Sequence, residues 1–214
     1  MKLIAHLLVL CLTLIVTGRS SAETRYFALD NVFFLKEDST TNLQQMHGYF
    51  TWNYTPGDFE NGTGELLYVD IPGTTHGIED LIVTIEVGGI EISLDGSFHD
   101  DGVDVSLKFL SDLSPTGSSV IDTDPGNSKF DIGGNGFYRG TIETGSVVPF
   151  DFALHISHAS PTTIRVTWTP NYPWCTLEQS STLMPSSWID TGATSPHDQE
   201  ITVASKMFYR LVVP

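Results

Sequence analysis

The chain contains 214 residues, of which 26 are acidic and 10 are basic, so its formal net charge is −16. A surface this acidic repels nucleic acids and anionic membranes and attracts cations, which excludes nucleic acid as an expected partner. The length allows one large or two small domains, each able to bury a sizeable apolar core.

Residues 1–22 predict a cleaved export signal. Lys2 opens the segment, a ten-residue apolar run covers 7–16, and the small residues Ser20 and Ala22 mark a cleavage site after Ala22. A membrane-spanning helix needs roughly 20 apolar residues, about twice this run. We therefore expect a secreted or cell-surface protein whose mature chain, 23–214, has no transmembrane anchor and a net charge of −18.

The mature sequence predicts β-strands throughout. Val103, Val105 and Leu107 alternate with polar residues, which is typical of a strand with one buried face. Residues 26–35 and 49–54 are apolar or aromatic on both faces, which predicts strands in the middle of a larger assembly. The predicted fold class is all-β: an antiparallel β-sandwich or jelly-roll-like domain followed by a small β module.

Residues 81–96 predict a β-hairpin with Gly88-Gly89 as its two-residue turn. This register would place Glu86 directly opposite Glu91, and like charges about 5 Å apart are destabilising unless something compensates. Glycoside hydrolysis requires two such carboxylates, so Glu86 and Glu91 are candidates for its acid and base. The alternative is that both side chains extend into water.

Residues 122–131 form an acidic loop and a candidate calcium site. Its oxygen ligands would come from Asp122, Asp124, Asn127 and Asp131. The spacing departs from the helix-loop-helix calcium pattern. Asp and Asn are also the residues that ordinary turns prefer, so a solvated turn is the alternative.

A domain boundary is predicted where turn residues concentrate, between 145 and 162. We predict an N-terminal β-sandwich domain over 23–148, a linker over 149–162 and a C-terminal β module over 163–214. The module has its own aromatic set, comprising Trp168, Tyr172, Trp174, Trp188, Phe208 and Tyr209.

The C-terminal module contains a strand ending in Trp168, then TLEQSSTL at 176–183, then Trp188, and finally FYRL at 208–211. In this order the elements resemble a short β module that ends many exported multidomain proteins of environmental bacteria. The matching positions are Trp168, Leu177, Gln179, Ser180, Ser181, Leu183, Trp188, Phe208, Tyr209, Arg210 and Leu211. The resemblance implies a packing or surface-interaction unit, and Cys175 is not part of its pattern.

The N-terminal domain carries a second apolar pattern, formed by Phe27, Leu29, Val32, Phe34, Gly48, Phe50 and Trp52. Over residues 25–145 this pattern resembles secreted bacterial proteins that carry a PEP-CTERM sorting tail. The sequence contains no Pro-Glu-Pro tail, so anchoring by a sorting enzyme is not implied. The resemblance implies export.

Trp174 and Trp188 bracket a predicted strand and turn. Such tryptophans mostly pack in a core, and the alternative is an exposed platform on which sugars stack, which makes both candidate ligand-binding residues. Cys175 is the only cysteine of the mature chain and has no histidine that the sequence places beside it, so we expect it to be structural.

Together these patterns favour a non-catalytic β protein of the cell surface or extracellular matrix. Polysaccharide is its candidate partner and calcium its candidate cofactor. An extracellular carbohydrate-active hydrolase that uses Glu86 and Glu91 is the alternative.

Overall fold

The structure is a computed structural model. It describes residues 21–36, 42–74, 76–94, 103–124, 126–132, 138–169, 171–172, 175–200 and 206–212. The helical segments in these ranges are two short 3₁₀ turns, Ile78–Asp80 and Pro185–Ser187. No helix in the described ranges has the length and apolar character that crossing a membrane requires. The prediction of an all-β, antiparallel fold is confirmed.

Nine strands form the main sheet. They are β1 (Glu23–Lys36), β2 (Leu43–Thr55), β3 (Asp58–Asp70), β4 (Ile82–Glu86), β5 (Gly89–Ser93), β6 (Val103–Lys108), β7 (Ser119–Val120), β8 (Lys129–Ile132) and β9 (Tyr138–Phe150). Their order is β3-β2-β1-β9-β8-β6-β5-β4, and β7 pairs with β9 outside this path. The segments that are apolar on both faces, in β1 and β2, therefore lie inside the sheet, as predicted.

The main sheet curls until its two end strands approach each other. Gly64 of β3 lies so close to β4 that a Cβ at this position would come within 2.5 Å of the Ile85 Cβ. In a flat sheet of eight strands spaced about 4.8 Å apart, the end strands would lie roughly 34 Å apart. Contact between them requires strong curvature, and the side chains on one face then meet in a single cluster.

The inner core is that cluster. Its fully buried members include Phe27, Phe34, Phe50, Trp52, Ile90, Leu107 and Ile142. Each fully buried aliphatic or aromatic side chain contributes roughly 1.5–3 kcal/mol to folding. The inner core therefore provides the stability that the sequence could not obtain from an intramolecular disulfide.

Six further strands follow: β10 (Ala153–Ser160), β11 (Thr163–Thr169), β12 (Thr176–Ser180), β13 (Ile189–Asp190), β14 (His197–Glu200) and β15 (Phe208–Val212). They form two three-stranded sheets, β10-β11-β14 and β13-β12-β15. Residues 149–162, predicted as a linker, contain the end of β9 and all of β10. Strand β10 pairs antiparallel with β11.

The outer core joins the C-terminal strands to the main sheet. Ala28 and Tyr49 of the main sheet are buried in one cluster with Val166, Trp168, Cys175 and Leu177. The Tyr49 ring lies 6.4 Å from Phe150 and 6.3 Å from Phe152. Since successive strand residues point to opposite faces, Phe27 enters the inner core and Ala28 the outer core.

The predicted register of the β4–β5 hairpin is wrong. Val87 and Gly88 form the turn, and Glu86 pairs with Gly89. Glu91 therefore lies opposite Thr84 rather than opposite Glu86. Each residue of β4 therefore pairs with a residue of β5 two positions away from the predicted one. The aliphatic side chains keep the predicted face, while the two carboxylates are no longer direct neighbours.

Strand β6 also differs from the prediction of one buried face. Asp104 and Ser106, which should face solvent, are 2% and 4% exposed. Both belong to a strand flanked by β5 and β8. Alternation predicted the apolar face of β6 correctly, but it carries no information about what covers the other face.

Candidate functional site

A cleft of about 400 Å³ opens beside the outer core, and we call it the Trp168 cleft. It lies between the end of β11, the start of β12 and the loop after β13. The described lining residues are Trp168, Asn171, Tyr172, Cys175, Thr176, Asp190, Gly192, Ala193 and Thr194. The lining combines aromatic, amide, hydroxyl and carboxylate groups, so it offers both apolar surface and hydrogen-bonding groups.

The loop on one side of the cleft is fixed by its own side chains. Thr191 donates to the Leu177 carbonyl through both its backbone N–H, at 2.9 Å, and its hydroxyl, at 2.8 Å. The Gly192 N–H donates to Asp190 Oδ1 at 2.7 Å, and Gly192 has a φ of +61°, which a glycine adopts without strain. Asp190 is therefore held in place by the turn that it stabilises.

Ser195 fixes the other side of the cleft. Its hydroxyl accepts the Trp168 backbone N–H at 3.1 Å. Its backbone N–H and C=O make two longer contacts with the Asn171 side-chain amide, both at 3.4 Å. These contacts tie the end of β11 to the segment that precedes β14.

The Trp168 indole N–H has no hydrogen-bond partner among the described residues, although its Nε1 atom is buried. The whole residue is 2% exposed. An unpaired buried donor costs about 1–3 kcal/mol relative to a paired one. Trp52 in the inner core shows the usual arrangement, since its Nε1 donates to the Phe59 carbonyl at 2.9 Å.

Cys175 is a core residue, as the sequence predicts. The free cysteine is 7% exposed, and its N–H donates to the Tyr172 carbonyl at 3.0 Å. Burial raises the pKa of the Cys175 thiol to about 11. Burial, followed by the charge of Asp30, raises the pKa of Tyr172 to about 12. A thiol with this pKa is protonated at neutral pH and is a poor nucleophile.

The two tryptophans predicted to bind a ligand have different outcomes. Trp174 lies outside the described residues. Trp188 is half-buried, and the Arg210 guanidinium carbon lies 4.5 Å from the centre of its ring. Arg210 also binds Glu178, with Nε and Nη2 at 2.7 and 2.6 Å from Oε2. One face of Trp188 is therefore covered by a side chain that an ion pair holds in place.

Three of the four predicted calcium ligands, Asp122, Asp124 and Asn127, lie in one turn that their own hydrogen bonds close. Asp122 accepts the Asp124 N–H at 3.0 Å and the Asn127 side-chain N–H at 2.7 Å, and Asp124 accepts the Gly126 N–H at 2.9 Å. Asp131 lies on β8, opposite Arg139 and Asp104. Within the described ranges, no group of three or more His, Cys, Asp and Glu side chains is arranged to hold a metal ion.

Replacing Asp122 by alanine is expected to destabilise the protein by about 1 kcal/mol, because two hydrogen bonds of the turn are lost. Urea unfolding in a chelator and in millimolar calcium measures this cost, and we expect the same value in both. Asp122→Asn, which keeps Oδ1, should cost less. A calcium-dependent stabilisation of the wild type that Asp122→Ala abolishes would contradict a purely structural turn and would indicate a cation site.

The observed hairpin register makes the two candidate catalytic carboxylates diagonal rather than direct neighbours on one face of the hairpin. Glu91 accepts a hydrogen bond from Lys108 Nζ at 3.1 Å, whereas Glu86 lies opposite Gly89 at the turn. Both glutamates are exposed.

Sequence reasoning missed Trp168 as a site residue. Its position in a period-two strand indicates a core tryptophan, and this part of the interpretation agrees with its burial. Whether an indole N–H finds an acceptor depends on residues that surround it in space, so no local sequence signal distinguishes Trp168 from Trp52.

No protein-family model matches this chain, and no curated protein or solved structure matches it either.

Proposed function

We propose that the protein is an exported, non-catalytic β protein that binds extracellular polysaccharide through the Trp168 cleft. The observation that carries this proposal is the cleft itself, in which Asn171, Thr176 and Thr194 accompany an indole whose N–H has no described partner. Sugars offer both hydroxyl oxygens that accept hydrogen bonds and apolar ring faces that pack on aromatic side chains.

The sequence supports the extracellular setting of this function. Residues 1–22 have the pattern of an export signal, and the acidic chain favours uncharged or cationic partners over nucleic acid. The resemblance of residues 163–214 to a module of exported bacterial proteins agrees with a role in surface interaction.

The position of Trp168 explains how a ligand would add binding energy. Its indole Nε1 is covered by neighbouring atoms, so a sugar oxygen would reach it only after a side chain moves. Changes of side-chain rotamer are common when partners bind. The hydrogen bond formed would then remove the cost of an unpaired donor as well as adding an interaction.

Trp168→Phe is expected to weaken polysaccharide binding about tenfold, because the variant loses the indole N–H donor. Affinity electrophoresis in native gels that contain laminarin, galactomannan or polygalacturonate measures the retardation. Trp52→Phe is the matched control: it also removes an indole, but one whose N–H is already paired in the inner core. Equal losses in both variants, or no retardation in any gel, would contradict the proposal.

A further inference from the structure

We infer that the ligand of the Trp168 cleft is an uncharged polysaccharide, and that Asp190 discriminates against anionic ones. This inference rests on the proposed function and adds the charge class of its ligand. It is carried by the distribution of charged side chains in and around the cleft.

The described lining of the cleft contains one carboxylate, Asp190, and no basic side chain. Asp190 is held at the rim because its Oδ1 accepts the Gly192 N–H at 2.7 Å. A uronate or sulfate group placed in the cleft would face this carboxylate without a cation between them. Asp190 is exposed, so water and salt screen the repulsion between like charges, which is strongest at low ionic strength.

The arginines of the C-terminal strands are already bound to carboxylates. Arg165 donates to both oxygens of Asp198 at 2.7 Å, and Arg210 donates twice to Glu178 at 2.6–2.7 Å. A guanidinium group that donates two hydrogen bonds to one carboxylate or phosphate is the usual recognition element for an anionic ligand. Neither arginine belongs to the described lining of the cleft, and recruiting one would leave Asp198 or Glu178 without its partner.

An uncharged glycan is not repelled by Asp190 and needs no arginine to bind it. The amide, hydroxyl and indole groups of the cleft are neutral, and the Asp190 carboxylate can accept a hydrogen bond from a sugar hydroxyl. Asp190 therefore contributes to binding a neutral sugar and excludes a charged one.

The test compares the neutral laminarin and galactomannan with the anionic polygalacturonate in the same native gels at low salt. We expect the wild type to bind a neutral polysaccharide at least tenfold more tightly than polygalacturonate. Asp190→Asn keeps the Oδ1 acceptor for Gly192 and removes the charge. The ratio between the affinities for neutral polysaccharide and for polygalacturonate should therefore fall at least severalfold.

Asp58→Asn is the matched control. Asp58 Oδ1 accepts a hydrogen bond from Asn61 in the β2–β3 hairpin, so the substitution keeps that acceptor and changes the net charge by the same amount. If Asp190→Asn and Asp58→Asn lower the ratio between the two affinities equally, the overall charge of the protein rather than Asp190 discriminates against anionic polysaccharide, and the inference is wrong.

The remaining outcomes separate the inference from the proposed function. If the wild type prefers polygalacturonate and Trp168→Phe still weakens binding about tenfold, the inference is overturned and the proposed function stands. Absence of binding to all three polysaccharides would overturn the proposed function and the inference with it.

Discussion

Replacing Gly145 by alanine is expected to lower the free energy of unfolding by roughly 3 kcal/mol, with a fall in melting temperature of about 10 °C. Gly145 lies in β9 with a φ of +149°, a region that side chains other than that of glycine rarely adopt. A Cβ there would lie 2.8 Å from the Val32 Cα and 3.0 Å from the Ile121 Cδ1. The first of these atoms is backbone, so relief requires a displacement of β1.

Gly57→Ala is the control for backbone strain alone. Gly57 also has a positive φ, +88°, but no atom lies within 4 Å of the Cβ position. We expect this variant to lose about 1 kcal/mol, the cost of the backbone conformation without a collision. Urea unfolding of both variants separates the two contributions. Equal losses would show that β1 adapts to the added methyl group and would contradict the crowding around Gly145.

Raising the pH from 9 to 11 is expected to destabilise the folded protein by about 2 kcal/mol through Cys175 alone. Burial raises the pKa of this thiol from 9.0 to about 11, so the folded state retains a proton that the unfolded chain releases. The contribution to stability is complete below pH 9, falls as the pH rises, and is lost above pH 11. Tyr172, with a pKa raised from 10.0 to about 12, adds a further loss at higher pH.

Cys175→Ala identifies the thiol contribution. At pH 7 the variant should be less stable by about 1 kcal/mol, because a buried sulfur is removed. Between pH 9 and 10, where no more than half of any tyrosine with the ordinary pKa of 10.0 is ionised, its stability should fall less than that of the wild type. Urea midpoints at pH 8, 9, 10 and 11 provide the comparison. The same pH dependence in both proteins would mean that the Cys175 thiol ionises as easily in the folded state as in water.

Much of the fold follows from patterns in the sequence. The two-faced apolar segments in β1 and β2 predict interior strands, and the structure explains their composition: Phe27 and Phe50 enter the inner core, while Ala28 and Tyr49 enter the outer core. The hairpin register could not be obtained in the same way. Both Gly88-Gly89 and Val87-Gly88 satisfy the alternation of aliphatic residues, so the pattern does not distinguish turns that differ by two residues in register.

The candidate site was less predictable than the fold. The residue types of Glu86, Glu91, Trp188 and the acids of the 122–131 loop indicate a chemistry directly. The Trp168 cleft, in contrast, is formed by residues from separate elements that meet in space. In the sequence, the segment that contains Asp190, Gly192 and Thr194 has the composition of an ordinary turn. Their proximity to Trp168 arises from the packing of two small sheets, which is a long-range property that local patterns do not encode.

The shared position of β1 and β2 between two cores determines the order in which the chain can fold. The β1–β2 hairpin forms from neighbouring segments, but its Ala28 pairs with Val148, and the outer face is covered only when Val166, Trp168 and Leu177 are available. Because synthesis starts at the N-terminus, the outer face of β1 and β2 stays an uncovered apolar surface until the last quarter of the chain has been synthesised. Contacts of such long sequence separation form slowly, so the early strands are exposed to aggregation for longer than the late ones.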